Sequence, residues 1–269
     1  MLRSGGLLSQ RMGRIFAVAN QKGGVGKTTT AINLSASLAV AEKKVLLIDC
    51  DPQGNTTSGL KVDRAGLSAS LYDVLTGHKN IEDIVQKTEL PGLDLVPARV
   101  ELVGAEIELV QMPRRESVLK RALKEVAARY DYLILDCPPS LGLLTLNALT
   151  AAEFVVIPVQ CEYYAMEGLG ELLKTVGRVR QTYNPDLQIA GILFTMFDSR
   201  TNLANQVVRE VRGFFKEQVF QTVVPRNIVL AEAPSHGRPA LLYDVGSIGA
   251  QAYLKLAKEV MAHAEEGAR

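Results

Sequence analysis

Cysteine is scarce in this chain, neither sign of charge is in surplus, and no long apolar run occurs. Each shortage removes a class of function. The 269 residues include three cysteines, Cys50, Cys137 and Cys161, far apart and without a C-x-x-C pair. A disulfide framework or a zinc site needs paired cysteines, so the expected setting is a reducing cytoplasm. Cys50 and Cys137 each close an apolar run and read as small buried hydrophobes. Lysine and arginine total 30 against 29 acids, a formal charge of +1. No global basic field exists, so any nucleic-acid binding has to come from a local patch. No segment reaches the roughly 18 apolar residues of a membrane span. The opening MLRSGGLLSQRMGR is basic but lacks the apolar stretch of a secretory signal. There is no internal repeat, no low-complexity segment and no linker that would divide two domains.

What is present is an alternation of strand and helix. Apolar runs at 14–19 (RIFAVA), 44–50 (KVLLIDC), 132–137 (YLILDC), 153–160 (EFVVIPVQ) and 189–197 (IAGILFTMF) read as strands buried on both faces. Shorter strands are expected at 93–97 and 221–224. Helical spacing marks 27–41, 116–130, 168–183, 202–219 and 247–264. This predicts a single α/β domain, a mostly parallel, doubly wound twisted sheet flanked by helices; the glycine-rich loop at 21–30 makes it one of the P-loop NTPase type. Residues 1–13 are expected to be a flexible tail, with Met12 a second candidate start. The domain is expected over 14–265, and 266–269 as a C-terminal tail.

The strongest local signal is QKGGVGKTTT, after the first strand and opening the first helix. Gly23, Gly24 and Gly26 have no side chains, so with Val25 they offer backbone N–H groups to phosphate oxygens. The helix N-terminus adds free donors and a favourable dipole. Lys27 is placed to reach the β- and γ-phosphates, Thr28 to put its hydroxyl on Mg²⁺, and Thr29 to touch the α-phosphate. A glycine-rich turn with surface lysines explains less, because the glycines, lysine, threonine and strand–loop–helix context all agree. The usual P-loop glycine is replaced by Gln21, and a second lysine, Lys22, sits inside the loop.

Three carboxylates fall at strand ends beside this loop: Asp49 and Asp51 in IDCDPQGN, and Asp136 in YLILDCPPS. A magnesium nucleotide needs acids there, and hydrolysis needs a group that orients water. A lone aspartate at a strand end is usually a cap. Three converging on a phosphate loop point to chemistry.

The K-G-G-x-G-K-[ST] loop resembles the deviant Walker A motif of the ParA/MinD superfamily, which includes nitrogenase iron proteins and arsenite-pump ATPases. IDCDPQGN, FDSRTNL and EAPSHG are similar to segments of its ParA/Soj partition branch, and the likeness runs from about residue 14 to 264. The resemblance implies that Lys22 acts in trans across an ATP-sandwich homodimer, so that Lys22, Lys27 and Asp51 form the catalytic set. It implies that Asp51 positions water and also serves the metal with Thr28 and Asp136, the Walker B aspartate. Pro138 and Ser140 fall in the adjoining switch. Asp49 either joins the metal shell or caps the loop. Pro225 and Asn227, in VPRNIVLAEAPSHGRP, are implied adenine contacts; otherwise that segment only closes the fold.

Between residues 200 and 238 the basic residues outnumber the acids. Arg209, Arg212 and Lys216 are spaced i, i+3, i+7, as on one helix face. A solvated basic face is the default meaning of such a run. The resemblance adds Arg200, in SRTNL, as a non-specific DNA contact. It also exposes a departure: family members commonly carry an arginine two residues after the Asn of PRN, where this chain has Val229. Arg226 and Arg238 are the candidates to compensate. DNA binding of this kind is sequence-independent and steeply salt-sensitive, and a dimer doubles the patch.

The implied function is an ATP-dependent DNA-partitioning switch, cytoplasmic and nucleoid-associated, using ATP/ADP and Mg²⁺. Its implied partners are non-specific double-stranded DNA and a ParB/Spo0J-type centromere-binding protein. The first rival is a MinD-like ATPase at a membrane. The tail YLKLAKEVMAHAEEGAR is near neutral, which argues against a lipid-binding helix. An iron–sulfur reductase would need two cysteines on a dimer face. A metabolic ATP-using ligase on the same fold would need a second small-molecule site. About a dozen residues precede the first strand, too few for an operator-binding helix-turn-helix.

Overall fold

The computed structural model describes residues 12–163 and 165–266. One eight-stranded sheet organises them. Its strands are β1 (Arg14–Val18), β2 (Val45–Asp49), β3 (Gln86–Lys87), β4 (Leu93–Val96), β5 (Tyr132–Asp136), β6 (Phe154–Gln160), β7 (Gln188–Phe197) and β8 (Val219–Pro225). The order is β3-β4-β2-β5-β1-β6-β7-β8. All pairings are parallel except β3 with β4.

The helices are α1 (Lys27–Val40), α2 (Asn55–Gly59), α3 (Leu71–Leu75), α4 (Leu102–Glu108), α5 (Val118–Leu123), α6 (Leu143–Ala151), α7 (Ala165–Thr182), α8 (Asn202–Phe215), α9 (Ile228–Glu232), α10 (Ala240–Tyr243) and α11 (Ile248–Glu266). They cover both sheet faces, which makes two cores. In β1, Ile15 and Ala17 join one, and Phe16 and Val18 the other. Every second side chain is buried on each face, so the strand sequences are continuously apolar rather than alternating.

From β1 the chain crosses to β2, leaving room for β5 between them, while β6 pairs on β1's other side. The crevice beyond such a switch point is where open α/β sheets bind ligands. The register places Val18, Asp136 and Asp49 in one row across β1, β5 and β2. The phosphate loop leaves β1 directly beside that row.

Several sequence boundaries move. Gly13 is buried and donates its N–H to Ala127 O at 2.8 Å, so it belongs to the fold rather than to a tail. Met12 is exposed, and Glu266, expected in the C-terminal tail, is the last residue of α11; the rest of the expected tails, 1–11 and 267–269, lie outside the described residues. The helix expected at 116–130 is a 3₁₀ turn Arg115–Ser117, then α5, then a second 3₁₀ turn Ala127–Arg129. Past Leu123 the chain tightens: the N–H groups of Lys124, Glu125 and Val126 bond three residues back, to Arg121, Ala122 and Leu123 O, rather than four. The helix expected at 202–219 ends at Phe215. Lys216 has φ 46° and ψ −112°, which breaks it, and Val219 already begins β8.

Candidate nucleotide site and basic face

The loop from β1 to α1 turns where glycine allows it. Gly24 and Gly26 have φ of 73° and 86°, left-handed values that side chains disfavour, and Gly26 is the N-cap of α1. A Cβ added at Gly23 or Gly24 would meet nothing within 4 Å, because both face an open cleft. Neighbouring strand ends hold the loop. Asn20 Nδ2 donates to Pro158 O at 2.7 Å while its Oδ1 accepts the Lys22 N–H at 3.0 Å. Thr195 Oγ1, on β7, donates to Val25 O at 2.8 Å. The Val25 side chain is buried, so only its backbone serves the loop.

Lys27 is nearly buried, and its Nζ donates to Lys22 O at 3.0 Å. Burial pulls its pKa below the usual lysine value, and nearby Asp136 works against that shift. Lys22 itself turns out of the cleft, and its Nζ meets Glu162 Oε2 at 2.5 Å.

The three aspartates separate by role. Asp49 is fully buried with its acceptors occupied: Oδ2 takes the Thr57 N–H at 2.9 Å and hydroxyl at 2.6 Å, and Oδ1 takes the Asp51 N–H at 3.2 Å. Of its two sequence readings, the capping one describes these contacts. Burial, then the neighbouring Asp136, pushes its pKa up to about 7. Asp136 Oδ2 accepts from Thr56 Oγ1 at 2.6 Å, while Oδ1 is buried and has no partner among the described residues. Burial raises Asp136 to about 6, and the hydroxyls of Thr56 and Thr28 hold it down. Asp51 lines the cleft, and its Oδ1 accepts the Gln53 N–H at 2.9 Å.

The cleft, about 480 Å³, brings together Gly23, Gly24, Gly26, Lys27, Thr28, Thr29 and Asp51 on one side. Pro225, Arg226, Asn227 and Leu230 line the other. Asn227 Oδ1 is buried without a partner among the described residues. Sequence reasoning missed Asn20, Thr56, Thr57, Thr195 and Glu162. Apart from the short-range bonds Asn20–Lys22 and Thr57–Asp49, they act through hydrogen bonds that reach across 41 to 170 positions of sequence, and no spacing motif announces such a contact.

The basic residues are not one patch. Arg200, between β7 and α8, is exposed and clamped by Asp198, Nε to Oδ1 at 2.9 Å and Nη2 to Oδ2 at 2.7 Å. This pairing holds the Asp198 carboxyl down at about 2. Arg209 is exposed on α8. Arg212 folds back onto β8, donating to Gln221 Oε1, Phe220 O and Gln221 O at 3.2–3.3 Å. Lys216 lies past the end of α8, so the i, i+7 face ends before it. Arg238 pairs with Glu89 at 3.3 Å, next to Lys61 and α2, at the other side of the sheet from β8.

All three cysteines are free and buried, and burial raises each thiol. Among the described residues no helix is long and apolar enough to cross a membrane.

The profile of the family described as an AAA domain matches residues 13–189. The chain is 58% identical over 252 residues to the sporulation initiation inhibitor protein Soj of Bacillus subtilis, covering 94% of this chain and 100% of that one. It is 57% identical over 250 residues to the chromosome partitioning protein ParA of Myxococcus xanthus, 93% and 88% of the two chains. Among solved structures, cobyrinic acid a,c-diamide synthase from Mycobacterium smegmatis with bound ADP and magnesium matches with a TM-score of 0.84 and 40% identity, over 95% and 97% of the chains. That neighbour carries a synthase's name, so the fold alone does not choose between a partitioning ATPase and a ligase; the higher identity to Soj and ParA favours the partitioning ATPase. The chain belongs to the ParA/Soj chromosome-partitioning ATPases, within the AAA-domain P-loop enzymes.

Proposed function

We propose that this ATPase is a DNA-partitioning switch in which ATP binding builds a sandwich homodimer that holds non-specific double-stranded DNA. Slow hydrolysis, stimulated by a ParB/Spo0J-type partner, then releases it. The observation that carries the reading is the loop in which Lys27 faces the cleft while Lys22 points away from it. One lysine is placed for the protomer's own nucleotide, and the other is free of that duty.

ATP with Mg²⁺ suits the residues present. The glycine cradle is open, and Asp136 Oδ1 is an unpartnered buried acceptor beside Thr28. Among the described residues no group of three or more His, Cys, Asp or Glu side chains could hold a metal alone. That fits a magnesium held chiefly by phosphates and water, with Thr28, Asp51 and Asp136 supporting it. The metal would neutralise charge on the β- and γ-phosphates.

Loop N–H groups from Lys22 to Thr29 cradle the phosphates, and Lys27 exchanges Lys22 O for phosphate oxygen. Asp51 holds the attacking water and accepts its proton. Pro225 packs on adenine, and the unpartnered Asn227 Oδ1 suits its exocyclic amine. Residues 13–266, the expected 14–265 with Gly13 and Glu266 added, work as one domain, in the cytoplasm on the nucleoid. Arg200, Arg209 and Arg226 carry most of the DNA contact, with smaller shares from Arg212, Lys216 and Arg238.

The test is binding to random-sequence duplex DNA with ATP, ADP and no nucleotide, at two salt concentrations, beside Arg200→Ala and Lys22→Ala. Binding that needs ATP, falls steeply with salt, is weakened with a lower salt slope in Arg200→Ala and is lost in Lys22→Ala is expected. No binding under any nucleotide would overturn the switch and leave the ATPase.

A further inference from the structure

Lys22 and Glu162 leave the carboxyl ends of two adjacent strands. Lys22 follows β1, and Glu162 lies two residues past Gln160, the last residue of β6. Their side chains meet at 2.5 Å, with 38% and 47% of their surfaces exposed. Glu162 is set by its own turn rather than by Lys22: its N–H donates to Gln160 O at 2.8 Å, and its carbonyl accepts the Ala165 N–H at 3.0 Å at the start of α7. The Lys22 backbone is set independently by Asn20 and by Lys27 Nζ. Two fixed backbones therefore present one ammonium to one carboxylate.

We propose that Glu162 is a cis latch on Lys22, an internal anion that occupies the lysine until a second protomer's phosphates replace it. The proposal rests on the sandwich reading above, in which Lys22 serves the partner's nucleotide. A lysine ammonium is a compact point charge on a flexible stem. In the proposed dimer it swings from Glu162 toward the partner's phosphates. Dimer formation then has to break one such pair in each protomer, exchanging a carboxylate for phosphate oxygens. The latch keeps nucleotide-free protomers apart without blocking the cleft, because Lys22 and Glu162 both lie outside the cleft's lining. Glu162 is thus a positioning residue that acts through Lys22, and it sets the protein concentration at which the switch closes.

The effect has a sign and a size. A half-exposed pair shifts each protomer's equilibrium by roughly threefold. Because both protomers unlatch, the dimer dissociation constant of Glu162→Gln should fall by about tenfold. Glu162→Asp keeps the charge and should stay much nearer the parent chain.

The experiment is sedimentation velocity of the full chain with Mg²⁺ and a slowly hydrolysed ATP analogue, on the parent, Glu162→Gln, Glu162→Asp and Lys22→Ala. Tighter dimerisation in Glu162→Gln alone, with none in Lys22→Ala, is the expected result. Loss of dimer in Lys22→Ala with Glu162→Gln unchanged or weaker would overturn the latch and leave the sandwich standing. Equal tightening in Glu162→Asp would overturn it as well, since charge would not be the cause. If Lys22→Ala dimerises like the parent, the sandwich reading fails, and the latch with it.

Discussion

The nucleotide edge and the basic surface are built in opposite ways. At the edge, Asp49, Asp136, Thr56 and Thr57 are buried and joined by hydrogen bonds of 2.6–2.9 Å. On the surface, Arg200, Arg209 and Arg238 are exposed, and two of them are paired with nearby acids. A buried polar network has to be satisfied by the fold, so its geometry exists before any ligand arrives. An exposed arginine is held weakly and can change partner when phosphate approaches. The contrast suits the proposed switch: a fixed edge for the nucleotide, and an adjustable, salt-governed surface for DNA.

The contrast is sharpest at Asp51. Asp51→Ala should retain ATP binding and lose turnover by about 10²–10⁴-fold, the usual share of a positioned base. Equilibrium binding of a fluorescent ATP analogue and phosphate release measure the two separately. Turnover within a few-fold of the parent's would remove Asp51 from the chemistry.

Thr57→Ala tests the rigidity of the edge itself. The Thr57 hydroxyl donates to Asp49 and accepts the Ala98 N–H at 2.9 Å, all out of water. Its removal orphans that N–H and weakens the Asp49 cap, which should cost about 1–3 kcal/mol in chemical denaturation. A loss of only a few tenths would mean that the edge is wetter and softer than its burial suggests.

This split also decides what could be read from sequence. The phosphate loop was legible because glycines, lysine and threonine must stand at fixed spacing on one turn, and the buried strands because both of their faces are apolar. Helix α6 (LLTLNALTA) escaped for the same physical reason: seven of its nine residues are buried, so no period marks one face. The two-residue β3 is too short to show any alternation. On the surface, the run of basic residues was visible, but not which of them were already engaged. Arg212 and Arg209 look alike as letters, and one is bound to β8 while the other is exposed. Arg238 lies nearby in sequence and on the far side of the sheet, because α9 and the 3₁₀ turn Ala233–His236 carry the chain back across it.

Arg200 and Arg212 therefore make a matched pair of variants. Arg200→Ala should lower the salt slope of DNA binding by about one per protomer and leave folding intact. Arg212→Ala should leave the slope nearly unchanged and cost about 1 kcal/mol of stability, because it loses backbone carbonyls rather than phosphate. Melting curves beside salt titrations separate the two effects. The opposite pattern would mean that Arg212 leaves β8 for DNA.

The smallest effect should come from Arg238. It shares Glu89 with Lys61, whose contact is shorter, at 3.1 Å against 3.3 Å, and which contributes most to holding the Glu89 carboxyl below its usual value. With side chains about half exposed and open to solvent screening, the pair contributes little to stability. Arg238→Ala leaves Lys61 in place, so both the melting temperature and the ATPase rate should stay close to the parent's. The DNA salt slope is the more telling number. Arg238 stands beside α2, away from α8, and should contribute less to the slope than Arg200 does. An equal contribution from both would mean that DNA wraps from the β8 side round to α2. The adjustable face would then border the nucleotide cleft on two sides, and the fixed edge and the mobile surface would share one ligand.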